Sequence, residues 1–162
     1  MKSRMLGVAL CGMLCCGSLF AAEHYNRADI ARGKYLVSIT GCNDCHTPGY
    51  PQSGGKLPVE QWLVGDKVGF KGPWGTTYPS NLRLFFQRLS EAEWIKWAKT
   101  MQTRPPMPWF ALRDMHERDL KAMYRFVRSL GAAGEASPAY VPPGQEPATP
   151  YFVFEPVMPQ KR

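Results

Sequence analysis

The chain has 162 residues, of which 44% are hydrophobic and 20% charged, and its formal net charge is +7. This length favours one domain with appendages over two domains, and the composition is typical of a globular protein. Basic residues alternate with acidic ones, as in Arg113-Asp114, and no run of five like charges occurs. The charge pattern therefore indicates a solvated surface and excludes a nucleic-acid interface, although mild basicity favours docking to an acidic partner.

The N-terminus, residues 1–22, has the pattern of an export signal. Lys2 and Arg4 precede an apolar, uncharged stretch over Leu6–Phe20, and the small residues Ala21-Ala22 follow as a cleavage site. We predict a cleaved signal peptide and a periplasmic protein, which keeps a charge of +5 because both bases are removed. In the alternative, the segment stays uncleaved as a short membrane anchor.

The first half of the remaining chain combines one helical segment with a long irregular one. Apolar spacing predicts a helix over 26–39, with Asn26 or Asp29 as its N-cap and Gly41 as its stop. Residues 47–80 are rich in glycine, proline and polar residues, which predicts a long region with little regular structure. A loop of this length inside a compact domain is often functional, and wrapping a prosthetic group would explain it.

Two further helices and an extended tail are predicted in the second half. Ser90 and Glu93 form a capping-box pattern, and the prolines of 104–106 end the helix that they begin. Residues 116–130 place apolar side chains on one helix face. Residues 132–162 hold seven of the fifteen prolines together with several aromatic residues. They predict an extended tail that lies partly against an apolar surface, of its own domain or of a partner.

The cysteines carry the strongest chemical signal. Three of the five lie within residues 1–22, so the remaining chain keeps only Cys42 and Cys45, followed at once by His46. In the spacing C-x-x-C-H, two thiols can add to the two vinyl groups of one haem, and the histidine is delivered to the iron as an axial ligand. The sequence therefore predicts one covalently attached haem c.

Three other uses of Cys42 and Cys45 are weaker alternatives. The pair can form a disulfide or remain as two buried thiols. A thioredoxin-type redox pair would require a surrounding βαβ pattern, and none is visible. A structural zinc site would require a fourth ligand and usually a second Cys or His pair, whereas His24 and His116 are far apart and unpaired.

The second axial ligand of the iron must come from another segment. Thioether and imidazole are the usual donors. The candidates outside the signal segment are Met101, Met107, Met115, Met123, Met158, His24 and His116. We select Met107, because Pro105, Pro106 and Pro108 stiffen the backbone around it and hold it in a rigid, non-helical loop.

Taken together, the order of helix, C-x-x-C-H motif, loops, helix, methionine loop and final helix resembles class I cytochrome c over residues 26–131. The resemblance implies an all-α cytochrome c domain over 23–131, with three or more helices around the haem. It also implies that the first and last helices cross near a small residue and an aromatic, for which Gly33 and Tyr124 are well placed.

Two segments, 72–78 and 107–112, resemble the cytochrome subunits and electron acceptors of bacterial periplasmic alcohol, aldehyde and gluconate dehydrogenases. By that analogy Trp74 and Tyr78 hydrogen-bond the haem propionates, although either can equally be an ordinary core aromatic.

The expected function is electron transfer and not enzymatic catalysis, since two filled axial positions leave no place for a substrate on the iron. The resemblance implies a periplasmic dehydrogenase as electron donor and a membrane oxidase or cytochrome complex as acceptor. The alternatives are a haem subunit of a larger dehydrogenase complex, and a peroxidase or sensor whose sixth position is labile. No nucleic-acid partner is expected, and membrane contact only if the N-terminal segment is uncleaved.

Overall fold

The computed structural model describes residues 25–159, so the predicted signal segment 1–22 and His24 lie outside the described residues. Within this range there are six helices and three short strands. In chain order they are α1 (Arg27–Ile39), α2 (Cys42–His46), β1 (Gly69–Gly72), β2 (Gly75–Thr77), α3 (Leu82–Phe86), α4 (Glu91–Thr100), α5 (Trp109–Asp114), α6 (Glu117–Ser129) and β3 (Tyr151–Val153), with a 3₁₀ turn at Val59–Gln61. None of these helices is long and apolar enough to cross a membrane.

Helix α1 confirms the first predicted helix but not its expected apolar face. Ala31, Tyr35 and Ile39, whose spacing predicted the helix, are exposed. The side chain of Asn26 accepts a hydrogen bond from the backbone N–H of Ala28 at 2.9 Å, so Asn26 is the N-cap. The helix ends before Gly41, whose φ of 73° lies in the left-handed region that glycine adopts without strain. Because Gly41 directly precedes Cys42, this turn sets the direction in which α2 and the C-x-x-C-H motif leave α1.

Helices α4 and α6 confirm the other two predicted helices. The capping box is present, since Glu93 N–H donates to Ser90 Oγ at 3.3 Å and Ser90 N–H donates to Glu93 Oε2 at 2.7 Å. Helix α4 ends at Thr100, five residues before Pro105, the first of the prolines that were expected to end it. The predicted apolar face of α6 is buried, with the exception of the partly buried Leu130 that follows the helix.

The crossing of α1 and α6 is centred on Gly33. A Cβ atom at this position would lie 2.0 Å from the carbonyl oxygen of Ala122, so the two backbones meet at a distance that only glycine permits. Tyr124 follows Ala122 by two residues, and its ring packs edge-on against Tyr25 while its hydroxyl donates to the carbonyl of Leu89 at 2.8 Å. The crossing therefore packs α1, which leads into the C-x-x-C-H motif, directly against α6.

A three-stranded sheet makes the described chain a mixed helical and strand structure, so the expectation of an all-α fold is wrong in this respect. Strands β1 and β2 form an antiparallel hairpin, and β3 pairs parallel to β1. Two of these strands lie in the region 47–80, and the third lies in the predicted tail. The described tail is therefore part of the domain, and its Phe152 stacks on Phe70 with ring centroids 5.8 Å apart.

The segment after α6 is also fixed to the helical part by polar side chains. Asn81 caps α3 through its Oδ1, while its Nδ2 donates to the carbonyls of Ala133 and Glu135 at 2.8 and 3.0 Å. The buried Arg83 donates to the carbonyls of Gly131 and Leu130, which follow α6, and to that of Glu60. The bonds from Arg83 to Leu130 and Gly131 satisfy carbonyls directly after α6 that the helix itself leaves unpaired.

Candidate functional site

A cavity of about 860 Å³ lies between the helices and the sheet. Its volume falls within the range of roughly 300–1,000 Å³ that is typical of small-molecule and cofactor sites. All six helices, strands β1 and β2, the loop between α4 and α5 and the segment after α6 contribute residues to its wall. Aromatic and aliphatic side chains from the helices dominate it, including Phe86, Trp94, Trp97, Leu112 and Val127. Such a wall excludes water from a large planar apolar ligand.

The C-x-x-C-H motif forms one wall of this cavity. Helix α2 is only five residues long, and it places Cys42, Cys45 and His46 together on the cavity side. Both thiols are free, so the disulfide alternative has no counterpart in the structure. The Sγ of Cys42 lies 3.3 Å from the hydroxyl oxygen of Thr40, and no acidic side chain lines the cavity among the residues that the structure describes.

The ionisation of the two thiols also disfavours a redox pair. Burial raises the pKa of the Cys42 thiol above its usual value. Burial, together with the charges of Asp44 and Asp66, likewise raises the pKa of Cys45. Thioredoxin-type cysteines require a lowered pKa, because the thiolate is the nucleophile. These thiols stay protonated at neutral pH.

His46 is held as a neutral imidazole with one nitrogen free. Its Nδ1 lies 2.7 Å from the carbonyl oxygen of Ser80, which can only accept, so Nδ1 carries the proton and donates. The lone pair of Nε2 is therefore free to bind a metal, which is the arrangement that metal-ligating histidines adopt. Burial lowers the pKa of His46, and the hydrogen bond to Ser80 opposes this only in part, so the imidazole is neutral at pH 7.

A zinc site is not supported by the arrangement of the side chains. Within residues 25–159 no three His, Cys, Asp or Glu side chains come together in a group that could hold a metal ion. His116, the other described histidine, is the N-cap of α6 and does not line the cavity. His46 has no second imidazole beside it in the cavity wall.

Three methionines line the same cavity. Met107 does so from the loop between α4 and α5, as its predicted role requires, and Met115 and Met123 join it from the end of α5 and from α6. Met101 is buried in the core outside the cavity wall, and Met158 is 80% exposed. The structure thus brings Met107 to the cavity that His46 lines, together with Met115 and Met123, two of the other candidate ligands.

The two predicted propionate ligands lie in different places. Tyr78 lines the cavity, and its hydroxyl oxygen accepts a hydrogen bond from Thr149 Oγ1 at 2.9 Å. Trp74 does not line the cavity, since its indole covers Gly72 and packs against Phe154. The propionate role of Tyr78 stays a prediction, and the placement of Trp74 fits the alternative of a packed aromatic.

One edge of the cavity is polar, and no pattern in the sequence predicted it. Gln102, Thr103 and Arg104 line it side by side, in the loop that leads to Met107. The hydroxyl of Thr103 is buried and has no hydrogen-bond partner within the described part of the chain. A buried hydroxyl without a partner is costly, so this edge suits a ligand that carries a polar group. No pattern in the sequence marks Thr103, because the burial of its hydroxyl depends on how the loop folds.

The residues present fit a haem. The cavity offers a mostly apolar wall, two protonated thiols at the required spacing, an imidazole with a free Nε2, thioether sulfurs and one polar edge. No protein-family model matches the chain, and no curated protein or solved structure matches it either. The assignment of this site therefore depends on its own chemistry.

Proposed function

We propose that this protein is a periplasmic electron carrier that holds one covalently attached haem c with histidine and methionine ligation. One observation supports this most strongly: Cys42, Cys45 and His46, with its free Nε2, share a largely apolar cavity of about 860 Å³ with Met107. A haem held there would supply one reversible electron through the Fe(II)/Fe(III) couple. The resemblance to class I cytochrome c supports the same proposal.

Each residue of the C-x-x-C-H motif has its own role in holding the proposed haem. Cys42 and Cys45 would provide the two sulfurs for thioether bonds to the haem, and their separation within the single turn of α2 keeps both on one wall. His46 would bind the iron through Nε2, and the carbonyl of Ser80 orients its ring. Because Ser80 directly precedes the cap residue Asn81 of α3, this orientation is fixed by secondary structure and not by a mobile loop.

Met107 is the preferred second axial ligand. Its loop is not helical, its side chain is partly buried, and Thr77 Oγ1 donates to the carbonyl of Pro105 at 2.8 Å. Met123 is buried on the packed face of α6. Met115 follows α5, where its carbonyl accepts a hydrogen bond from the ammonium of Lys99. Met123 is fixed within the packing of α6, and of the two non-helical methionines only Met107 is flanked by prolines that hold its backbone in one conformation.

The cavity chemistry favours a carrier over a peroxidase-like protein. Peroxidatic chemistry requires an acid–base side chain beside the sixth position of the iron. Among the described residues that line the cavity, His46 is the only histidine, none is acidic, and Arg104 is the only charged side chain. The chain therefore offers ligands and apolar walls, which suits electron transfer without bond chemistry. A permanent haem subunit of a dehydrogenase complex would use the same site.

The partners follow from the resemblance and the export signal. A periplasmic dehydrogenase would donate the electron, and a membrane oxidase or cytochrome complex would accept it. Copurification from native membranes separates a free carrier, which elutes alone, from a subunit that stays with a dehydrogenase.

Covalent attachment is tested by the mass and the spectrum of the denatured protein after expression with the periplasmic haem-maturation machinery. We expect the mass of one haem per chain, and we expect the absorption to stay with the polypeptide. Cys42→Ala with Cys45→Ala abolishes both, whereas the control Thr40→Val, which removes only the hydroxyl beside Cys42, keeps them. A wild-type chain without covalent haem would refute the proposal.

The axial ligand is tested by replacing each thioether with a hydrocarbon of similar volume. Met107→Leu converts the low-spin ferric spectrum to high spin and allows immediate cyanide binding. Met115→Leu and Met123→Leu retain the low-spin spectrum, as does the control Met158→Leu at an exposed position. If Met115→Leu or Met123→Leu is the variant that loses it, the ligand is not Met107.

A further inference from the structure

The segment after α6 lies along the cavity and contributes to its wall. Val141 is paired with Thr76 next to β2, through N–H···O bonds of 2.8 and 3.0 Å in the two directions. Ser137 Oγ donates to the carbonyl of Pro79 at 2.6 Å. Between these two points Pro138 and Tyr140 reach the cavity, so the segment is fixed on both sides of the place where it meets the site.

Tyr140 contacts the methionine loop directly. The guanidinium carbon of Arg104 lies 3.8 Å from the centroid of the Tyr140 ring, which is the geometry of a cation–π contact. The hydroxyl of Tyr140 donates to the carbonyl of Trp74 at 2.8 Å. One side chain thus joins the turn between β1 and β2 to the residue that begins the proline-rich stretch before Met107.

The close approach of this segment depends on Gly75. Its φ is +92°, and a Cβ atom there would lie 2.3 Å from the carbonyl oxygen of Val141 and 3.0 Å from the Tyr140 ring. A side chain at this position would push the segment away from β2. The glycine therefore brings Tyr140 within reach of Arg104.

The loop is held at two consecutive residues. Thr77 Oγ1 binds the carbonyl of Pro105, and the ring of Tyr140 covers the guanidinium of the preceding Arg104. Met107 follows two residues after Pro105, and the intervening Pro106 transmits the position of this anchor because its φ is fixed. Movement of Arg104 away from Tyr140 would therefore move the thioether as well.

We propose that Tyr140 is a positioning residue for the second axial ligand, holding the Met107 loop closed over the cavity through Arg104. This inference rests on the proposed haem site. It assigns the C-terminal segment a role within this chain, namely to slow the release of the thioether from the iron.

The rate at which cyanide replaces the methionine in the ferric protein measures loop opening. At saturating cyanide this rate is limited by release of the sulfur. Tyr140→Ala should raise it about two- to fivefold, the factor expected for loss of one exposed cation–π contact. Tyr140→Phe keeps the ring and should restore most of the wild-type rate. Arg104→Ala should match Tyr140→Ala, and the double variant should add little to either.

Tyr151→Ala is the matched control. It removes a tyrosine from the same segment together with its cation–π contact to Lys71, whose ammonium lies 5.0 Å from the ring centroid, and Tyr151 does not line the cavity. The control should leave the cyanide rate unchanged. Far-UV circular dichroism and urea unfolding show whether each variant is folded, and Arg104→Ala, at an exposed residue, replaces Tyr140→Ala if the latter does not fold.

The outcomes separate this inference from the proposed function. A low-spin wild type whose cyanide rate is unchanged in both Tyr140→Ala and Arg104→Ala overturns the positioning role alone. The same follows if Tyr151→Ala accelerates cyanide binding as much as Tyr140→Ala, because the effect would then be general loosening of the segment. A wild type without covalent haem, or with iron that binds cyanide at once, overturns both proposals.

Discussion

Replacement of Gly33 by alanine tests the packing that orients the whole site. Helix α1 leads into the motif, and α6 supplies Met123 and Val127 to the opposite side of the cavity. The two helices cross where Gly33 meets Ala122. An added Cβ atom would lie 2.0 Å from the carbonyl oxygen of Ala122 and 2.7 Å from the Cβ of Phe126.

The loss of unfolding free energy expected for Gly33→Ala is the difference between two opposing effects. Overpacking costs about 1–3 kcal/mol, and the upper end applies because the atom met is backbone within α6 and has no rotamer to change. Alanine in place of glycine in a helix returns about 1 kcal/mol of conformational free energy. The free energy of unfolding should therefore fall by about 2 kcal/mol, which for a chain of this size lowers the melting temperature by about 4–8 °C.

Urea unfolding followed by far-UV circular dichroism measures this loss for Gly33→Ala. Ala31→Gly, at an exposed position of the same helix, serves as the control and measures the propensity difference alone, at a cost of about 1 kcal/mol or less. If Gly33→Ala is as stable as the wild type, or more stable, the close approach of the two helices is not present.

Two further predictions concern caps and charge. Ser90→Ala removes the capping box with Glu93 and should cost about 1 kcal/mol of unfolding free energy, whereas Ser38→Ala, within α1, should change it by less than about 0.5 kcal/mol. Equal losses in urea would contradict the cap. The hydrogen bond and charge of Arg32 hold the pKa of Asp119 below its usual value. This pair therefore stabilises the fold above about pH 4, and its contribution is lost as the pH falls through that lowered pKa. Asp119→Asn should be less stable than the wild type at pH 7, and the difference should shrink as the pH falls below about 4. A difference in urea midpoint that is independent of pH would refute this.

The long helices could be predicted because their signals are local. Asn26 and Ser90 cap α1 and α4 as expected, and the 3.6-residue spacing of Leu120, Met123 and Val127 marked the buried face of α6. Each of these features depends on residues within one or two turns of the chain. The spacing within residues 42–46 is local in the same way, and it alone indicated the thiol pair and the imidazole.

The sheet and the two short helices α3 and α5 could not be predicted in the same way. Strands of three or four residues are too short to show alternation, and β3 forms only because Phe152 and Phe154 meet Phe70, more than 80 residues earlier. Helices of five or six residues carry too few apolar positions to define a face. These short strands and helices are stabilised by contacts with residues distant along the chain, and the sequence alone does not show which residues make those contacts.

The sequence by itself determined the attachment chemistry proposed here, because two thiols and an imidazole at fixed spacing require only a single turn of helix. Only the tertiary structure decided what surrounds them. It placed Met107, Met115 and Met123 on one cavity, kept Trp74 outside its wall, and brought Tyr140 against Arg104. These are contacts between segments distant along the chain, and their distances depend on how helices and strands pack, which no local pattern specifies.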